Sequence, residues 1–208
     1  MLAPSDLRVP PDCDLMLAAD TGTFMSALVI AVAHDYHAYV LAEFPNYRYV
    51  SDQIELNDVT LPEWTAWVVS SCVSLGASPV AWADPNTQFR AELRRHGLRL
   101  LKNAIGPETR VTVAREYFHN HRVHLAPWLE ILPYELENAK WPEESTASGK
   151  YMRLRKADHT LVCLEHLLSR RPRGALPKSS TRKPSFLETY LAQHRTSRGG
   201  VDVHLGSR

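Results

Sequence analysis

Cysteine is scarce in this 208-residue chain. The three present, Cys13, Cys72 and Cys163, lie far apart. They make neither a zinc pattern nor a disulfide framework, and a reducing compartment is the expectation. Long apolar runs are missing as well. The best, Ser26 to Ala33, is strand-sized, well short of the ~18 residues a membrane helix needs, so an integral helical membrane protein is excluded. The first residues, MLAPSDLRVPPDCD, hold neither a basic nor an apolar stretch, and no secretory signal is expected. A phosphate-cradling G-x-x-x-x-G-K-[ST] loop is lacking: the one Gly-Lys pair, Gly149-Lys150, runs into Tyr151 with no glycine at the upstream position. Internal repeats and low-complexity runs are absent, which removes collagenous and fully disordered classes.

What is there is ordinary for a globular protein: 44% hydrophobic and 23% charged residues, over a length that allows one domain and a tail. The net charge of +1 hides an asymmetry. Residues 170–208 carry nine Lys and Arg against Glu188 and Asp202, a local +7, which leaves −6 for the rest. A basic tail suits a polyanion partner, and it equally suits a solvated terminus. We therefore expect a domain over 1–170 and a basic C-terminal tail over 171–208, with linker prolines at 172, 177 and 184 and a short helix at Phe186 to Gln193, the tail being partly disordered or helical.

Periodicity organises the domain. Leu15 to Ala19, Ser26 to Ala33 and Ala38 to Phe44 read as three buried strands joined by tight turns, an antiparallel meander. Thr60-Leu-Pro-Glu63 is a capping box that opens a helix carrying Trp64, Val68, Cys72 and Leu75 on one face. Pro79 to Ala83 reads as a strand, Phe89 to His96 as a helix, Leu98 to Leu101 as a strand, Thr109 to His119 as a helix and Arg122 to Leu125 as a short strand. Trp128 to Ala139 and Asp158 to Leu168 read as the closing helices. A meander followed by helix–strand alternation is an α/β fold, with a mixed sheet flanked by helices.

Three aspartates fall at element ends: Asp20 after the first strand, Asp84 after the fourth, Asp158 at the start of the last helix. Ligands bind at strand ends in such sheets. Carboxylates without a Cys or His pattern suit hard cations such as Mg²⁺ or Mn²⁺, and a pair of these ions activates water and stabilises the leaving oxygen of a phosphodiester. Each acid also has a local use: Asp20 in an Asp-Thr-Gly turn, Asp84 in a turn or cap, Asp158 as an N-cap.

Four stretches, LMLAADTG, PVAWADPNTQFRAELRRHGLRLLKNAIG, HNHRVHLAPWLEILPYELENAKWPEE and KADHTLVCLEHLL, occur in an order that resembles the nuclease domain of the large terminase subunit of tailed bacteriophages, over about residues 14–170. The resemblance implies an RNase H-like fold, with antiparallel β1-β2-β3 followed by parallel strands. It implies a metal-dependent DNA endonuclease that cuts concatemeric viral DNA during genome packaging in the cytoplasm of the infected bacterial host. On that resemblance Asp20, Asp84 and Asp158 would be catalytic metal ligands for two divalent cations, Mg²⁺ or Mn²⁺, with His159 as a secondary ligand or orienting group. Double-stranded DNA is the implied substrate, and a packaging ATPase on another domain or chain, a small terminase subunit and a portal are the implied partners; no membrane is involved. The pattern departs from the family at Val162, where a second acid is common, and at His166, near a usual aromatic. The rivals are another RNase H-like nuclease, of the junction-resolvase or integrase type, and a non-catalytic DNA-binding or assembly module.

Cations beside the acids are candidates for phosphate contact: Lys102, and Lys150, Arg153, Arg155 and Lys156 leading into Asp158. Arg90 and Arg94 suit the solvated face of a helix better. His119, His121 and His124 form an H-x-H-x-x-H pattern that a turn explains better than zinc. Glu135 and Glu137 point in different directions on a helix and are expected to be structural or solvated. Asp35 and Glu43 flank early strands and are candidates for an auxiliary carboxylate, and Trp64, Trp67, Trp82 and Trp128 fit the core.

Overall fold

A computed structural model of the chain describes residues 12–33, 35–74, 78–82, 87–96, 105–139 and 158–170. The strands are β1 (Cys13–Asp20), β2 (Ser26–Ala33), β3 (Ala38–Glu43), β4 (Tyr47–Val50), β5 (Gln53–Leu56), β6 (Ser78–Trp82) and β7 (Val123–Leu125). The helices are α1 (Leu61–Ser74), α2 (Thr87–Arg95), α3 (Pro107–His119), α4 (Ile131–Asn138) and α5 (His159–Leu168).

Five strands form one sheet in the order β6-β1-β2-β3-β7. β1 and β2 pair antiparallel from Cys13↔Ala33 to Asp20↔Ser26, and β3 continues the meander with an irregularity at Val29/Ile30. β6 and β7 add parallel strands at the two edges, Ala19 facing Trp82 and Val40 facing Leu125. The mixed sheet is the one expected. The strand expected over Leu98 to Leu101 lies outside the described residues.

The apolar runs of β2 and β3 are buried on both faces, as a strand covered on both sides must be. Alternate residues part to opposite sides. Leu17, Ala19, Ala27 and Val29 pack with Trp64 and Val68 of α1 and Phe89 and Leu93 of α2. Ala18, Leu28, Ile30 and Val32 pack with Val113 and Tyr117 of α3, Leu132 of α4, and Leu161, Leu164 and Leu168 of α5. Burying one such leucine contributes roughly 2 kcal/mol. The indole N–H of Trp64 donates to the Phe44 carbonyl and that of Trp128 to the Leu41 carbonyl, both at 2.8 Å, so each bulky anchor also satisfies its polar atom. No described helix is long and apolar enough to cross a membrane.

The hairpin of β4 and β5 went unread in the sequence. Its two-residue turn, Ser51 and Asp52, has positive φ at both positions (47° and 64°), the geometry that normally selects glycine or asparagine. The Tyr134 hydroxyl donates to the Asp52 carboxylate at 2.6 Å and holds the turn from α4. The H-x-H-x-x-H stretch is a helix end. His121 takes positive φ (53°) after α3, and the N–H groups of His121 and Arg122 donate back to Phe118 and Tyr117, a Schellman closure with histidine at the usual glycine position. His124 turns instead to His37, with ring nitrogens 2.7 Å apart.

α4 begins at Ile131, three residues later than expected, because Glu43 defines its start. That carboxylate accepts the N–H groups of Glu130, Ile131 and Leu132 at 2.6, 2.8 and 2.8 Å. The next residue, Pro133, has no N–H to satisfy.

Candidate active site

Asp20 is the last residue of β1, and Ser26, its cross-strand neighbour, is the first of β2. The connecting loop is held by buried Asn46, whose side chain accepts the Met25 N–H at 2.6 Å and donates to the Thr23 carbonyl at 3.1 Å. α5 arrives over this end of the sheet N-terminus first. The Thr160 hydroxyl lies 2.7 Å from that of Ser26, which ties the first turn of the helix to the strand position opposite Asp20. His159, one residue earlier, thereby reaches Asp20, with Nδ1 2.7 Å from Oδ2. Its ring is flanked by Phe24 and Tyr47, at centroid distances of 5.6 and 5.8 Å.

Burial works to lower the His159 pKa. The bond to Asp20 and the negative charges of Asp20, Glu135 and Asp158 outweigh it, so the net shift is upward. The imidazole thus keeps its proton to higher pH and donates it toward Asp20. Asp158 occupies the N-cap position of α5 but makes no side-chain cap hydrogen bond, so the local use that its position suggests is not the one it has.

Beneath these groups is a buried polar cluster. The Tyr47 and Tyr49 hydroxyls donate to Glu135 Oε1 at 2.6 and 3.0 Å, and the Leu161 N–H donates to Oε2 at 2.7 Å. The Thr160 N–H donates to the Tyr47 oxygen at 3.2 Å, and the hydroxyls of Thr160 and Tyr47 are 2.8 Å apart. Glu135 is only 3% exposed. Burial pushes its carboxyl up to about 7, with the charge of Asp158 adding to the rise, against three donors that favour the anion. Burial and the Glu135 charge likewise push the Tyr47 and Tyr49 phenols well above their ordinary value.

Of the expected site residues, Asp20 and His159 are in direct contact, and Asp158 adjoins His159 at the helix start. Asp84 lies outside the described residues, two positions after Trp82, which pairs beside Ala19. Lys102, Lys150, Arg153, Arg155 and Lys156 are outside them too. Among the described residues, no three His, Cys, Asp or Glu side chains converge on a metal position. The carboxylates of Asp20 and Asp158 are hard oxygen donors, the kind that Mg²⁺ or Mn²⁺ takes. Sequence reasoning missed the cluster of Tyr47, Tyr49, Thr160 and Ser26 and placed Glu135 no further than a structural or solvated role. Its members are separated by up to 134 positions, and no short-range pattern joins them.

The architecture, a mixed sheet with helices on both faces, is similar to that of solved large-terminase nuclease domains. The P22 large terminase nuclease domain matches with a TM-score of 0.55 at 14% identity, over 84% of this chain and 92% of that one. The large terminase nuclease of thermophilic phage G20c, solved with bound cobalt, matches with a TM-score of 0.53 at 13% identity, over 77% and 83%. The large terminase of thermophilic bacteriophage D6E matches with a TM-score of 0.63 at 15% identity, over 80% of this chain and 41% of that one, so the chain spans about two fifths of that protein's length. No family model matches the sequence, and no curated protein matches it significantly. At these identities the likeness is one of fold.

Proposed function

We propose that this chain is a divalent-metal-dependent endodeoxyribonuclease that hydrolyses phosphodiesters of double-stranded DNA, and that it cuts concatemeric viral DNA during genome packaging in the cytoplasm of an infected bacterium. The observation that carries the reading is the Asp20–His159 contact at the end of β1, beside Asp158, on a fold shared with terminase nucleases. Asp20 and Asp158 would hold the cations, with Asp84 as the third acid and His159 orienting Asp20 when protonated or ligating only when neutral. When bound, two ions of Mg²⁺ or Mn²⁺ supply the Lewis acidity that makes hydroxide available near neutral pH and neutralises the leaving oxygen. The protonated imidazole of His159 fixes the Asp20 carboxylate and adds positive charge where phosphates approach. Phe24 and Tyr47 restrict the ring from either side. Lys102, Lys150, Arg153, Arg155 and Lys156 grip the DNA backbone, and such contacts carry no base information. The domain occupies residues 1–170 and the basic tail 171–208 adds non-specific attraction to DNA. A packaging ATPase, a small terminase subunit and a portal are the partners in this scheme.

The test is plasmid nicking in Mn²⁺ by the wild type, Asp20→Asn and Asp84→Ala. Loss of nicking in both variants is the expected result. Equal nicking by all three proteins rejects the site, and a strong preference for four-way junctions over linear duplex moves the substrate assignment to a resolvase.

A further inference from the structure

At the end of the sheet opposite Asp20, two histidines meet across the pairing of β3 and β7. β7 is three residues long, half-buried throughout, and stands last in the sheet beside β3. The Ala38 N–H donates to the Arg122 carbonyl at 2.8 Å, and the Ala126 N–H donates to the Val40 carbonyl at 3.1 Å. A ladder this short carries little local stability. A side-chain bond clasps it. His37, the residue before β3, has Nδ1 2.7 Å from Nε2 of His124, in the middle of β7. The two rings lie 14° from parallel, and Tyr39 of β3 stacks on His124 at a centroid distance of 4.7 Å. The turn that presents His37 is itself fixed: Tyr36 takes φ 66°, its N–H donates to the Ala33 carbonyl at 3.0 Å, and the Ala33 N–H donates to the His37 carbonyl at 2.9 Å.

We propose that His37 and His124 form a proton-operated latch, which holds β7 to β3 while the pair carries at most one added proton and releases the strand when both imidazoles are protonated in mild acid. The latch stands apart from the nuclease reading, because it joins elements at the far end of the sheet from Asp20.

A bond between two imidazoles needs one N–H and one lone pair. Two neutral rings supply both. An imidazolium and a neutral ring do so as well, and the charge strengthens the bond. Two imidazolium rings offer donors alone, and their like charges meet across 2.7 Å. The pair therefore titrates in two coupled steps, and the second breaks the contact. Free histidine takes its proton near about pH 6.5. The open form thus binds more protons in acid than the closed one, and falling pH favours opening.

The charged and titratable groups around the pair set its balance. From the turn between β2 and β3, the Asp35 carboxylate accepts the His37 backbone N–H at 3.3 Å, a negative charge that eases the first proton. The Arg122 guanidinium, on the residue before β7, lies 5.9 Å from the Tyr36 ring centre and opposes the second. From β1, Cys13 stays a neutral thiol, pushed up to about 11 by burial and by Asp12, Asp35 and Asp14. His119 and His121 at the end of α3 are exposed, and His34, next to Asp35 in the chain, lies outside the described residues.

The experiment is amide hydrogen exchange on the full-length protein between about pH 7.5 and 5, each rate taken relative to that of an unstructured peptide at the same pH. The Ala38 and Ala126 N–H groups are expected to lose protection by at least about tenfold as pH falls. The Phe44 N–H, which donates to the Ala27 carbonyl at 2.8 Å beyond the end of β3, is expected to change by less than about threefold. His124→Gln keeps a donor and an acceptor but takes up no proton, and it is expected to hold Ala126 protection within about threefold over the whole range. His119→Gln is expected to show the same loss as the wild type. A wild type whose protection does not depend on pH overturns the latch. So does an undiminished loss in His124→Gln, abolition of the loss by His119→Gln, or an equal loss at Phe44, which would be general acid unfolding. Should His124→Gln fail to fold, His37→Asn takes its place with the same expectation, and a loss that persists there overturns the inference.

Discussion

α1 and α5 begin in opposite ways. α1 opens with a closed local device: the Thr60 N–H donates to the Glu63 carboxylate at 2.9 Å, and the Glu63 N–H donates back to the Thr60 hydroxyl at 3.4 Å. Everything needed lies within four residues, and the N-cap side chain is used up by its own helix. α5 opens with a carboxylate supplied 26 positions earlier in the chain and a phenol 113 positions earlier, and its N-cap aspartate makes no cap bond. α4 follows the second pattern, with Glu43 as the remote cap. A local cap makes a helix start independent of the rest of the fold. A remote cap makes it conditional on tertiary structure.

The largest expected effect tests whether α5 is the functional start. Asp158→Asn should lower Mn²⁺-dependent nicking by at least about 100-fold, beyond the range of an outer-layer change, while urea denaturation shows stability within about 0.5 kcal/mol of wild type. A comparable loss of stability would make Asp158 a structural cap like Thr60. Next comes the pH dependence of the α5 cap. Glu135 is raised from an ordinary value of 4.5 to about 7 in the fold. Its contribution to stability is therefore fully present below pH 4.5 and is lost as pH rises toward and through 7, on the order of 3 kcal/mol at 1.36 kcal/mol per unit. Tyr47, Tyr49, Asp158 and His159 face the same region. Glu135→Gln should remove that decline, measured as the wild-type minus variant difference in unfolding free energy between pH 4.5 and 7.5; a flat difference rejects it.

Glu43→Ala should cost about 2 kcal/mol in urea denaturation, since three N–H groups lose one charged acceptor. Thr60→Ala should cost about 1 kcal/mol by the same measurement, the usual price of a local cap. A reversal of that order would show that the remote cap of α4 is the weaker device. The smallest effect lies at the end of α3, where His121→Gly relieves a positive-φ histidine and should raise stability by roughly 0.5–1 kcal/mol.

These contrasts also explain what could be read from residues alone. The three-strand meander, the capping box of α1 and the helical spans of α2 and α3 were legible because apolar periodicity and short caps act within a turn or two. The hairpin of β4 and β5 was not, because its turn carries Ser51 and Asp52 at positive φ, where glycine or asparagine is the usual signal, and is held by a tertiary bond from Tyr134. Trp128 looked helical from its spacing, yet α4 starts later because Glu43 chooses the first N–H groups. In the site, Asp20 and Asp158 stood out as acids at element ends, and His159 entered through resemblance. Glu135 looked structural or solvated on its helix, and nothing in the local pattern revealed three donors closing over it.

The sequence by itself determined where the chain must be apolar, which segments extend or coil, and which acids sit at their ends, because these follow from local sterics and the period of the backbone. Only the tertiary structure decided that Asp20 meets His159 and that α5 is capped by Glu135 and Tyr47. Hydrogen bonds between residues 26 to 139 positions apart depend on how the sheet and helices pack, and packing leaves no mark on the spacing of the residues it brings together.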